Sequence, residues 1–379
     1  MVPRTNGVGR GDLSKVDLEA IVDSLGGGVY VCDLDRTIRY WSKSAERITG
    51  WRKEDILGKR CLDDILCHID KDGHRLCGEE YCPLHRSMIT GKASREPLLV
   101  YARRRDGQRV ATLVNVAPLR DDVGRIIGGV EIFEDASAMV HDMERAKAIQ
   151  RLAMEQETLH GIPGRITTHY IPRDIVGGDY FAVRKLGNDL YGVMVADVMG
   201  HGVAAALYTM HLSSLWNRYC FLLTHPTEFL RTINRELINV VRDAESFATA
   251  CCGLLDFNQR TFRFAGAGGP PLLWMRADGS HQPIESPGLP LGIKHDAVYE
   301  EAVVQAGEGD GLLLFTDGAV DVYNAAGESL GIERLACLLA DQEYPLKPIQ
   351  MDRLEEGLLK FSSGIRLEDD LTLVEASFQ

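Results

Sequence analysis

Acidic residues stand at the ends of apolar, strand-like runs at four places. Asp179 follows Gly177-Gly178 in DIVGGDYF, Asp197 ends VMVAD, Asp317 ends GLLLFTD, and Asp369-Asp370 precede LTLVEA. A carboxylate at the mouth of a buried strand costs desolvation energy unless something positive lies beside it. Glycines next to three of these stations let the backbone pass close to a bound ion or take positive φ. Carboxylates gathered at adjacent strand ends repel one another at neutral pH. Divalent cations remove that repulsion, and an all-oxygen donor set selects hard ions such as Mg²⁺ or Mn²⁺ over zinc. Two such ions about 3.5–4 Å apart orient a water, lower its pKa and hold both oxygens of an in-line phosphoryl displacement. A lone strand-end Asp is ordinarily a turn residue or helix cap; four together with glycine point to metal-assisted chemistry. His201, four residues beyond Asp197, is placed to protonate a leaving group or to shape the turn.

Three zones must position these groups. Residues 17–135 alternate short strand-like runs (GGGVYVCDLD, TIRYWS, EPLLVYARRRDG, QRVATLVNVAPLR, RIIGGVEIFED) with turns at Asp106-Gly107 and Asp121-Asp122. Helical stretches fall at KSAERITG and PLHRSMITG, giving an antiparallel sheet with helices on one side, an α+β pattern. From 136 to 160 apolar residues recur at helical spacing (Met139, Met143, Ala146, Ile149 or Gln150, Ala153), as in one amphipathic helix or a coiled coil between two subunits. In the remainder, strands are expected at 166–171, 190–196, 248–256, 261–265, 271–276, 311–316 and 371–376. Helices are expected at 202–220, 226–242, 331–341 and 350–361. Runs such as LYGVMVAD and GLLLFTD are apolar nearly throughout and should be covered on both faces.

The blocks DIVGGDYF, VADVMGHGVAAAL, FTDGAVDVYNAAGESLG and DDLTLV resemble, in order, those of bacterial PPM/PP2C-type serine/threonine phosphatases of the stage II sporulation E and Rsb-type, sigma-regulatory branch. FATACCGLLD and AGAGGPPLLW…GLPLGI fit as well, so the resemblance covers about 165–376. It implies a β-sandwich flanked by helices over 161–379, with two Mn²⁺ or Mg²⁺ ions at one end of the sheets. By position, Asp179 and Asp197 would share both ions with the backbone carbonyl of Val198, and Asp317 and Asp369 would complete the second. Asp370 ranks behind Asp369, because it sits where relatives often place Asn. The implied reaction is direct attack of an ion-activated water on phosphoserine or phosphothreonine, commonly of a phosphorylated STAS-type anti-anti-sigma protein. Ala182 and Gly268 depart from the pattern, standing where many relatives carry Asp and His.

The stretch GGGVYVCDLDRTIRYWSKSAERITGWRKEDILGK resembles a PAS domain, over about 17–135. Such a module implies a sensor whose signal leaves through its C-terminal helix, here 136–160, and a homodimer joined through the PAS domain and that helix. Its insert packs Cys61, Cys67, His68, Cys77, Cys82 and His85 into twenty-five positions. Ligands this dense could hold zinc or an iron–sulfur centre or act as a thiol switch, or they could be half-buried free thiols in a loop. The spacing is not that of a familiar zinc finger, and C-x-x-C-H for covalent haem is missing.

Composition bounds the alternatives. With 379 residues the chain exceeds the ~250–300 at which single cores stop growing, so two domains with a connector are expected after a flexible 1–16. The net charge of −13 argues against a nucleic-acid surface. No apolar run reaches the ~18 residues of a membrane span, and MVPRTNGVGRGD is not a secretory signal. Nine cysteines, an odd number, fit a reducing cytoplasm. The expected function is a PAS-regulated, metal-dependent protein phosphatase. The alternative is a phosphatase-like scaffold that binds a phosphoprotein without turnover; a nucleotidyl cyclase is disfavoured, because Asp179-Tyr180-Phe181 departs from a cyclase loop directly after the glycines.

Overall fold

The computed structural model describes residues 18–63, 65–78, 81–156, 164–240, 246–364 and 367–378. The expected flexible stretch 1–16 lies outside them, as does the end of the expected linker at 157–160. The chain divides into two units, Met1–Asp142 and Met143–Gln379.

In the first unit α1 (Leu18–Ser24) leads into β1 (Gly28–Asp33) and β2 (Ile38–Trp41), followed by α2 (Lys43–Thr49), α3 (Lys53–Ile56) and α4 (Pro83–Thr90). Then come β3 (Leu98–Arg103), β4 (Arg109–Arg120) and β5 (Ile126–Asp135). The five strands form one antiparallel sheet in the order β2-β1-β5-β4-β3. Local chemistry sets the boundaries of α2. Ser42 Oγ accepts the Ala45 N–H at its start, and Gly50 ends it at φ 75°, a left-handed cap that suits glycine. The two tight turns lie where the Asp-containing dipeptides predict them, closing β3–β4 and β4–β5.

Helix α5 (Ser137–Ala153) is shorter than the expected 136–160. Met154 is buried after it, and β6 (Glu155–Gln156) already pairs with a strand of the second unit, so strand pairing ends the helix. Met139, Ile149 and Leu152 of α5 are exposed, while Gln150 is its buried residue.

The second unit continues with β7 (Gly164–Ile171), β8 (Asp179–Gly187), β9 (Leu190–Val198), α6 (Val203–Tyr219) and α7 (Pro226–Val240). Strands β10 (Ala248–Asp256), β11 (Thr261–Ala267), β12 (Leu272–Met275), β13 (His281–Ile284), β14 (Glu301–Gln305) and β15 (Gly311–Phe315) follow, then α8 (Gly331–Ala340), α9 (Met351–Ser362) and β16 (Leu371–Phe378). They build two sheets, ordered β14-β11-β10-β9-β8-β6 and β13-β12-β15-β16-β7. One core runs from Leu212 and Trp216 of α6 and Phe229 of α7, through Val193 and Phe264 of the first sheet, to Leu312 and Val374 of the second. The far face of the second sheet packs on α8 and α9 through Leu313, Leu335, Leu339, Leu354 and Leu358. The result is a sandwich of two largely antiparallel sheets with helices outside each. Covered on both faces, β15 and β16 are buried along their whole length; β15 is apolar throughout, while β16 also buries Thr372, Glu375 and Ser377.

Candidate active site

Antiparallel pairing gathers the acidic stations. Strand β8 begins where β9 ends, which sets Asp179 directly opposite Asp197. In the other sheet β15 ends where β16 begins, so Asp317 arrives beside Asp369-Asp370; the Thr316 N–H donates to the Thr372 carbonyl at that junction. Asp197, Asp317 and Asp369 line one cavity of about 260 Å³, shared with Arg173, His201 and Thr249. Asp179 and Asp370 lie buried. Among the described residues, no three of these carboxylates bring oxygens all within 4.8 Å of one another, so they frame an extended site.

Each carboxylate has a distinct environment. Asp179 Oδ2 accepts from two hydroxyls, Thr316 Oγ1 at 2.7 Å and Thr372 Oγ1 at 2.5 Å. Asp370 is bound on both oxygens by backbone: Oδ1 by the N–H of Arg173 (2.7 Å), Oδ2 by those of Gly178 (2.6 Å) and Asp179 (3.4 Å). It therefore straps the loop between β7 and β8 to the start of β16. Glycine is required along this strap. A Cβ on Gly177 would lie 2.5 Å from Asp370 Oδ2, and one on Gly178 would lie 2.9 Å from the carbonyl oxygens of both Val198 and Gly200.

Burial, and then the neighbouring negative charges, hold these acids towards their neutral form. The Asp197 carboxyl is pushed up to about 7 by desolvation first, then by Asp317, Asp369 and Asp370. Asp179 is raised well above the carboxylate range by burial, then by Asp370 and Asp197, against the two threonine bonds. Burial also raises Asp317 and Asp370. Such a pocket stores electrostatic cost that a cation relieves. Its oxygen-only donors and the tight glycine cradle around the Val198 carbonyl fit hard divalent ions.

Four neighbours escaped the sequence reading. Thr316 and Thr372 each lie within two residues of a recognised Asp, and the alternation of a strand could have placed Thr372 on the face of Asp370. Asp174 Oδ2 lies 3.1 Å from His201 Nδ1, orienting a half-exposed imidazole at the cavity rim. Gln150 of α5 reaches the strap from behind. Its Nε2 donates to the Gly177 carbonyl (2.8 Å) and to Thr209 Oγ1 (2.9 Å), and its Oε1 accepts the Gly177 N–H at 3.3 Å. Of the two departures, Ala182 is fully buried, and Gly268 at φ 76° would carry a Cβ only 2.6 Å from Pro290, leaving no room for a histidine.

The cysteine-rich insert belongs to the first unit. Cys61, Cys67, His68 and Cys82 are buried, Cys77 and His85 partly so, and all nine cysteines of the chain are free thiols. Cys77 Sγ accepts the His68 N–H at 3.1 Å. Burial raises the Cys61, Cys77 and Cys82 thiols, Cys77 to about 12, so they are protonated rather than nucleophilic. Among the described residues, only Asp70, Asp72 and His74 bring three ligand atoms together, and none of the insert's cysteines shares that group. Zinc or an iron–sulfur centre finds no support here. The insert instead surrounds a carboxyl the sequence reading overlooked: Glu131 is buried, accepts from Tyr30 at 3.2 Å, and lies 3.6 Å from His68 Nε2.

Comparison with known proteins agrees with both units. A family described as stage II sporulation protein E (SpoIIE) matches residues 187–379, and one described as PAS fold matches residues 22–141. The chain is 26% identical over 183 residues to phosphoserine phosphatase RsbP of Bacillus subtilis (strain 168), covering 48% of this chain and 45% of that protein. It is 27% identical over 207 residues to phosphoserine phosphatase RsbU of the same organism, covering 54% and 60%. The chain thus spans about half the length of these relatives. The solved SiaA-PP2C domain of Pseudomonas aeruginosa matches with a TM-score of 0.56 at 24% identity, over 64% of this chain and 100% of that one, a likeness of fold.

Proposed function

For a chain that belongs to the stage II sporulation protein E (SpoIIE) family and carries a PAS fold ahead of it, we propose a divalent-cation-dependent protein serine/threonine phosphatase. Its substrate is a phosphoserine or phosphothreonine on a protein partner, a phosphorylated STAS-type anti-anti-sigma protein in this reading. The observation that carries the proposal is the convergence of Asp197, Asp317 and Asp369, from separate segments of two sheets, on one cavity, with the buried Asp179 directly opposite Asp197.

Asp179, Asp197, the Val198 carbonyl, Asp317 and Asp369 would hold two Mn²⁺ or Mg²⁺ ions. When bound, such ions neutralise the pocket, activate a water and offset charge on a phosphoryl group. The remaining work falls to the protein. Thr316 and Thr372 fix one oxygen of Asp179 and so direct the other. Asp370, saturated by backbone donors, positions the loop rather than competing for an ion. Arg173 at the cavity wall presents a planar fork suited to phosphate oxygens. His201, paired through Nδ1 with Asp174, keeps Nε2 to deliver a proton to the departing serine oxygen.

Regulation is assigned to the PAS unit acting through α5, whose Gln150 holds the same glycine strap as Asp370. The exposed Met139, Ile149 and Leu152 of α5 support a homodimer through this helix. No described helix is long and apolar enough to cross a membrane, and a cytoplasmic site of action is part of the same reading. The test is phosphate release from a panel of phosphorylated STAS proteins by the full chain, with each divalent ion in turn. Release that depends on the ion supports an enzyme; stoichiometric binding without release identifies a scaffold.

A further inference from the structure

The first unit carries a second polar cavity, of about 330 Å³, whose walls include Arg75, Arg103 and Arg109 together with Cys67, Ile69 and Gly107. Among the described residues no acidic side chain lines it, although the chain as a whole has 55 acidic against 42 basic residues. The arginines are brought together by the sheet. Arg103 ends β3, Arg109 begins β4, and the two are direct cross-strand partners across the Asp106-Gly107 turn. Ile69 bridges both Tyr101 and Arg75, which sets the third guanidinium alongside.

Like charges facing each other across a strand pair are destabilising. Here the acceptors of Arg109 and Arg75 are neutral carbonyls rather than carboxylates. Arg109 Nη1 donates to the carbonyls of Cys67 and Tyr101, and Arg75 Nη2 to that of Leu62. The nearby acids are otherwise engaged: Asp106 Oδ1 accepts the Gln108 N–H, and Asp55 pairs with Arg105. Cys67 holds φ at 40°, in the left-handed region, with its carbonyl aimed at Arg109. Arg75 and Arg109 are thus anchored on carbonyls, Arg103 is exposed beside them, and among the described residues no carboxylate pairs with the three. A cavity of this size, at the lower end of the range for small-molecule sites, suits a compact polyanion held by bidentate guanidinium contacts.

We propose that this arginine-lined cavity is a binding site for a small polyanion bearing phosphate or carboxylate groups, and that it serves the PAS unit as an effector site. It is independent of the phosphatase reading, since none of its residues belongs to the second unit.

Calorimetric titration of the full chain, with divalent ions removed by chelation, tests it with two probes, pyrophosphate and citrate. The expected result is one bound anion per chain, an affinity that falls with added salt, and a loss of at least tenfold in Arg103→Gln but not in Asp197→Asn. Saturation by pyrophosphate alone assigns a phosphate-bearing effector, and by citrate alone a polycarboxylate. Because Arg103 is exposed, its replacement spares the fold. Relief of the Arg103–Arg109 repulsion should also raise the melting temperature of the ligand-free protein. Binding of neither probe, or binding unchanged by Arg103→Gln, overturns the proposal.

Discussion

Asp179 and Asp197 face each other directly across β8 and β9, in register, at the sheet end where Asp317 and Asp369 also arrive. Two acids in direct cross-strand register oppose folding when both are ionised. Keeping them there is consistent with a site that is completed by cations, and the surrounding hydrogen bonds show how the protein holds the geometry in advance.

Thr372 is the closest of these supports, at 2.5 Å from Asp179 Oδ2. Thr372→Val keeps the shape and removes the donor. A hydrogen bond to a charged group contributes about 1.5–3 kcal/mol, so kcat should fall roughly 10- to 100-fold while circular dichroism stays unchanged. Unaltered turnover would show that the threonine is packing alone.

Gln150 links α5 to the glycine strap through its contacts with Gly177. Gln150→Leu should weaken Mn²⁺ activation about tenfold, seen as a rightward shift of the metal titration, because a misplacement of about 1 Å in a site is enough for large rate losses. Gln150→Glu keeps one acceptor for the Gly177 N–H and should fall between the two. A metal titration identical to the parent would remove α5 from the regulatory path.

His201 is assigned to proton delivery with Asp174 as its anchor. General acid catalysis contributes about 10²–10⁴-fold when the leaving group needs a proton. His201→Gln should therefore slow hydrolysis of a phosphoserine protein at least a hundredfold yet leave p-nitrophenyl phosphate, whose leaving group needs none, within a fewfold. Equal losses on both substrates would mean that the residue shapes the turn instead.

The buried Glu131 makes the first unit sensitive to pH. Burial pushes its carboxyl up to about 8 from an ordinary 4.5, so the folded unit keeps it neutral where the unfolded chain ionises. Its contribution is complete below pH 4.5 and is lost as pH rises through about 8, at up to about 1.4 kcal/mol per unit. His68 acts in the opposite direction: burial lowers it to about 4, and its contribution is lost as pH falls from 6.5 towards that value. Between pH 6.5 and 8 the Glu131 effect should dominate. Hydrogen exchange of β1 and β5 amides should show opening become easier across that window, with a flat profile in Glu131→Gln. A parent profile as flat as the variant's would exclude the carboxyl.

The acidic stations were legible because each combines a carboxylate with a strand end, and most with glycine, a local signature that periodicity and turn chemistry reveal. Strands with one continuous apolar run, such as β9 and β15, were equally plain. Strand β8 gives no clear strand signal, since its polar end in Arg184 and Lys185 blurs the pattern, and the short β13 and β14 have exposed faces. Glu131 carried a signal that composition hides: it alternates in phase with the buried Phe133 and out of phase with the exposed Ile132. Gln150 sits among the apolar positions of α5, but its partners lie 27 and 59 residues away, and such contacts are invisible to local spacing. The cysteine insert left metal binding and free thiols both open, because density in sequence does not guarantee convergence of ligand atoms in space.

The central claim is that these carboxylates form a dinuclear cation site. Titration of Mn²⁺ into the metal-free full chain, with bound ion counted by electron paramagnetic resonance, addresses it most directly. The account predicts two ions per chain for the parent and loss of both, together with phosphate release, in Asp197→Asn. Absence of Mn²⁺ binding in the parent, or equal binding in the variant, would contradict it.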